Sequence, residues 1–74
     1  MANDYELRRL EWLRQADSHR KQAETLEDKA RCYPEGSAER NHYEYFAMHE
    51  RETVSHCEHK AMLAAIQQYH RGQQ

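Results

Sequence analysis

Seventy-four residues form one small unit, and a chain this short buries only about 60% of the surface its unfolded form exposes. Hydrophobic residues make up 38% and charged residues 32%, with eleven basic and thirteen acidic side chains interleaved to a net charge of −2. That balance lacks the clustered basic face of a nucleic-acid binder, and no apolar run approaches the roughly 20 residues that span a bilayer.

The first predicted element runs over residues 4–31. Asn3 followed by Glu6 reads as a capping box, and the segment is rich in Ala, Leu, Glu, Gln, Arg and Lys, all good helix formers. Tyr5, Trp12, Ala16, His19, Ala23, Leu26, Ala30 and Tyr33 recur at spacings of three, four and seven, which places them in one stripe of a helix. Leu7, Leu10 and Leu13 step off that stripe by about 100° per residue and widen the apolar surface at the start of the helix.

CYPEGS follows and holds the only proline. Pro34 removes a backbone donor and disfavours helix before it, while Gly36 permits a left-handed turn, so residues 32–36 read as a tight loop. The second helix is predicted over 37–71, capped by Ser37 and closed by Gly72. Its stripe is Tyr43, Ala47, Glu50, Val54, Cys57, Ala61, Ala64 and Gln68, with Phe46 and Ala65 beside it. Met62, Leu63, Ile66 and Tyr69 add a surplus of apolar side chains near its end.

A short connection makes the two helices antiparallel neighbours, so the expected fold is all-α, a helical hairpin. Its expected core is Trp12, Ala16, Ala23, Leu26, Phe46, Val54, Cys57 and Ala61. Leu7, Leu10, Leu13, Met62, Leu63, Ile66 and Tyr69 then meet at the end far from the turn. One hairpin cannot bury both faces of that end, and such a surplus marks an interaction surface. The expectation is a homodimer, two hairpins forming a four-helix bundle.

HYEYFAMHERETVSHCEH, residues 42–59, concentrates histidine. His42, His49 and His56 are seven apart, about 10.5 Å along a helix, too far for neighbours to share an ion. The His49–Glu50 pair would need histidine at 53 to form a zinc-protease helix, and Thr53 stands there. His56 and His59 alone face one way, and structural zinc sites use four ligands. The imidazoles suit the edge of a helix seam, so no metal or other cofactor is expected; a metal-binding helical module, in which a dimer brings together two His56–His59 pairs, is the lesser alternative. Cys32 beside the turn and Cys57 deep in the second helix lie too far apart for a disulfide, which fits a reducing cytoplasm. Neither thiol has a base and an orienting acid, so no catalytic residue is assigned and no enzymatic activity is expected.

YELRRLEWLRQAD, residues 5–17, with YPEGSAERNHYEYFA, residues 33–47, resembles the small early-operon proteins of lambdoid bacteriophages, those encoded between the exonuclease and excisionase genes. The resemblance extends over most of the chain and contains no catalytic signature. It implies expression in the host bacterial cytoplasm and a part in tuning phage development, such as the lytic-versus-lysogenic outcome, or host processes, through a host or phage protein partner. Nucleic acid is the alternative partner, contacted through Arg8, Arg9, Arg14, Arg20 and Lys21, although these five point in different directions around the helix.

Overall fold

The structure, a computed structural model, describes residues 4–72, and the side chains of residues 4–70. Asn3, the expected capping residue of the first helix, lies outside them. Two α-helices account for almost all of this span: α1, Asp4–Ala30, and α2, Ala38–Gly72. They pack side by side as an antiparallel hairpin, with no strand among the described residues.

The turn is built by local bonds. Cys32 and Tyr33 donate their backbone N–H groups to the carbonyls of Lys29 and Ala30, three residues back, at 3.0 and 3.1 Å, which tightens the last turn of α1 and ends it. Ser37 N–H then reaches the Pro34 carbonyl at 3.1 Å, closing a β-turn. Gly36 sits third in that turn with φ of +82°, the left-handed value a type II turn needs there and one that side chains disfavour. Ser37 is the N-cap: its Oγ accepts from Arg40 N–H at 3.2 Å, and its carbonyl accepts from Asn41 N–H at 3.0 Å. Tyr33 and Tyr43 stack across the turn, ring centroids 5.7 Å apart. The nearby Tyr43 phenol and then burial raise the Tyr33 hydroxyl above its ordinary pKa.

The seam repeats every seven residues. Ala16, Ala23 and Ala30 of α1 are buried, as are Ala47, Val54, Cys57, Ala61 and Ala64 of α2. Six of these eight are alanines, so the backbones approach closely and little apolar area is buried per turn. A strict seven-residue repeat also keeps the contact line facing the partner only if the helices wind left-handedly around each other. Trp12 adds a bulky contact, packing half-buried on Ala16, Val54 and Cys57. Leu26 is likewise half-buried.

Phe46 corrects the expected core. It is 44% exposed, because Ala47 occupies the seam and the residue before it rotates outward by about 100°. Instead the Phe46 ring meets His42 edge-on at 4.7 Å on the outside of α2.

One polar contact lies within the seam. His19 Nδ1 is 2.5 Å from Glu50 Oε2, both side chains about one-third exposed or less. With its amide turned to donate, Gln22 lies 3.1 and 3.2 Å from the two Glu50 oxygens, so two residues one turn apart on α1 hold the carboxylate.

The hairpin is thin, measuring 57 × 18 × 10 Å. Its radius of gyration is 16.9 Å, where a compact chain of this length would have about 11 Å. Its accessible surface of 5724 Å² exceeds by roughly 900 Å² the value typical of a compact monomer of this mass.

Candidate interaction surface

Cross-helix ion pairs reveal which flanks of the two helices share a side. Arg51 grips Glu27 through two bonds, Nε at 3.0 Å and Nη2 at 2.7 Å, and Arg20 reaches Glu58 at 3.8 Å. The Arg51 hydrogen bonds hold the Glu27 carboxyl below its ordinary pKa, and Glu27 in turn raises that of Arg51. Arg20 and Glu27 belong to a row that begins at Leu13, seven residues apart, and Arg51 and Glu58 to one that continues to Ala65. Leu13 and Ala65 therefore flank the seam on the same broad face, at the end far from the turn. One row further out, Leu10 and, on α2, Met62 and Tyr69 extend that face, while Leu7 and Ile66 lie along the outer edges.

These apolar side chains are exposed, from 38% for Leu13 to 64% for Tyr69. A shallow cleft beside them is lined by Leu7, Arg8, Leu10, Glu11 and Arg14. Toward the turn the same face becomes ionic, carrying Asp17, Arg20, Glu24, Glu27, Arg51 and Glu58. It is thus mainly apolar toward the open end, where Glu6 continues the Leu13 row, and mainly ionic toward the turn, where exposed Met48 lies among the charges.

Leu63 stands apart from the other six expected interface residues. At 36% exposed it belongs to the row of His42, His49, His56 and His70, on the opposite broad face. There Gln15, Ser18, Gln22 and Thr25 of α1 oppose Phe46, His49, Thr53 and His56 of α2, an uncharged middle stretch bounded in the same rows by Arg8, Glu11, Lys29 and Lys60. Thr25 and Thr53 donate their hydroxyls to the carbonyls of Lys21 and His49 at 3.0 and 3.1 Å, which leaves their methyls outward.

Each histidine of the row has an aromatic neighbour. His42 meets Phe46, His49 lies 4.4 Å from Tyr45 between ring centroids, and His56 meets Trp12 at 6.1 Å with the planes nearly perpendicular. Residue type and heptad spacing hinted at this edge, but the aromatic pairing came from the fold. Among the described residues no three His, Cys, Asp or Glu side chains come together in a way that would hold a metal ion. Both cysteines are free thiols, Cys57 buried and Cys32 exposed.

Three of the six basic residues of α1 have carboxylate partners. Arg14 pairs with Glu11, Arg20 approaches Asp17 and Glu58, and Lys21 lies 3.2 Å from Asp17. The Arg14 hydrogen bond, then that of Gln15, keeps the Glu11 carboxyl below its ordinary pKa. Arg8 covers the Tyr5 ring, 5.5 Å from its centroid. Among the described residues no helix is long and apolar enough to cross a membrane.

The fold and surface together define a class, an all-α helical hairpin with an uncovered apolar end. No family model, curated protein or solved structure matches the chain.

Proposed function

We propose that this protein is a non-enzymatic regulator that acts by protein–protein interaction, presenting the apolar open end of the hairpin to its partners. The observation that carries the reading is the concentration of Leu7, Leu10, Leu13, Met62, Ile66 and Tyr69, all exposed, at one end of a two-helix layer. A patch of this kind on a small chain is an association surface. The partners are a second copy of the chain and a host or phage protein. The resemblance of residues 5–17 and 33–47 to lambdoid early-operon proteins supplies the setting, the host bacterial cytoplasm, and the process, the choice between lytic and lysogenic development.

The nucleic-acid reading is weaker because Arg14, Arg20 and Lys21 already face acidic neighbours. Duplex binding would require those pairs to open or the charge to come from elsewhere, and phosphate contacts give a steep salt dependence.

The two readings separate in one experiment. Wild type and a Leu7→Glu/Ile66→Glu variant are supplied during infection of a bacterial host, and the frequency of lysogeny is counted. In parallel, retention of a labelled duplex is measured from low to high salt. The expected result is an effect on lysogeny that the variant loses several-fold, with no salt-dependent duplex retention by either protein. A variant as active as wild type, or wild-type retention that falls steeply with salt, would overturn the interaction reading.

A further inference from the structure

We infer that the occupant of the apolar half of the Leu13–Ala65 face is a second copy of this chain, joined antiparallel so that only the open ends overlap and the two turns point away from each other. The inference rests on the interaction reading above and adds to it the face on which the second copy sits and its orientation.

Area selects the occupant. A stable complex of standard size buries about 800 Å² on each partner, and this hairpin carries roughly 900 Å² more surface than a compact monomer of its mass. Covering the patch with an identical copy buries it on both chains at once, through the self-complementary contact that a two-fold axis provides.

The distribution of charge selects the orientation. Two hairpins can meet face to face about an axis along the helices or about one across them. In the first arrangement the turns lie together, and the ionic half of the face is laid on itself. Arg20, Glu27, Arg51 and Glu58 would then lose water, a desolvation cost that ion pairs of this kind do not recover. In the second arrangement the open ends alone overlap and the ionic halves stay in solvent. Leu10 and Leu13 of one copy then lie over the same residues of the other, as do Met62 and Tyr69, with the small Ala65 side chain letting the layers approach. The face bearing the histidine row remains outward on both copies.

Cys32 makes this measurable in the native sequence. It is exposed beside the turn, whereas Cys57 is 2% exposed, so a thiol-reactive spin label marks the turn. The dipolar distance between labels on two copies is expected to exceed the 57 Å length of one hairpin. A shorter distance would overturn the orientation. Sedimentation over a hundredfold range of concentration is expected to show a dimer for wild type and for Thr53→Glu on the opposite face, and a species lighter than the dimer for Leu13→Glu. A wild-type chain that remains monomeric throughout, or a Thr53→Glu variant that loses the dimer while Leu13→Glu keeps it, would overturn the face and the occupant. Because the distance is read on unaltered protein, misfolding of a variant does not shield the inference. A monomer that still alters lysogeny would sink this inference and leave the interaction reading standing.

Discussion

Ala23→Leu is expected to be among the most damaging single substitutions in the chain. Ala23 is fully buried in the middle of the seam, with further buried alanines one heptad away on either side. Three additional carbons at that point must either adopt a strained rotamer or push α1 off α2, and overpacking of this kind costs about 1–3 kcal/mol, occasionally more. Leucine is as good a helix former as almost any residue, so the loss cannot come from propensity. For a domain of this size each kcal/mol moves the thermal midpoint by about 4–8 °C. Thermal denaturation followed by circular dichroism should therefore show a midpoint lower by roughly 5–20 °C. An unchanged midpoint would mean that the helices do not approach through this row.

Trp12→Ala should rival it, and Phe46→Ala should not. Trp12 packs on Ala16, Val54 and Cys57 and meets the His56 ring, and among the described residues it is the large hydrophobic side chain packed on that buried cluster. Truncating a buried tryptophan costs about 3–5 kcal/mol, and half-burial places Trp12 toward the lower end of that range. Phe46, 44% exposed, loses only a surface contact with His42 and Tyr45. Most surface substitutions stay within about 0.5 kcal/mol. Chemical denaturation of the two variants side by side tests the contrast. Equal destabilisation would return Phe46 to the seam.

The helix stripes were legible in the sequence because the seam repeats every seven residues and a proline–glycine turn divides it. Ala16, Ala23, Ala30, Ala47, Val54, Cys57 and Ala61 could all be placed from spacing alone. Phe46 misled because hydrophobicity argued for burial, while the small residue beside it is what a close seam requires. The interaction surface was only partly legible. Periodicity fixes the rotation of each side chain about its own helix, but not which flank of one helix joins which flank of the other. The Glu27–Arg51 and Arg20–Glu58 pairs decide that, and they separate Leu63 from Met62 although the two are adjacent in the chain. The division of one broad face into apolar and ionic halves follows only after that assignment.

The position of the turn gives the hairpin a direction of assembly. Closing the short loop between Tyr33 and Tyr43 costs the least chain entropy, and each later layer adds to a loop already closed. Leu10 and Met62 are among the last to meet, and among the first to part when the ends open. Backbone amides near them should therefore exchange with solvent faster than those of Ala30 and Ala47, by a margin that shrinks as protein concentration rises. Were protection uniform from turn to open end, this zipper would be refuted. The end expected to fray is the end that carries the leucines, so association there would do more than cover a surface: it would complete the closing of the hairpin.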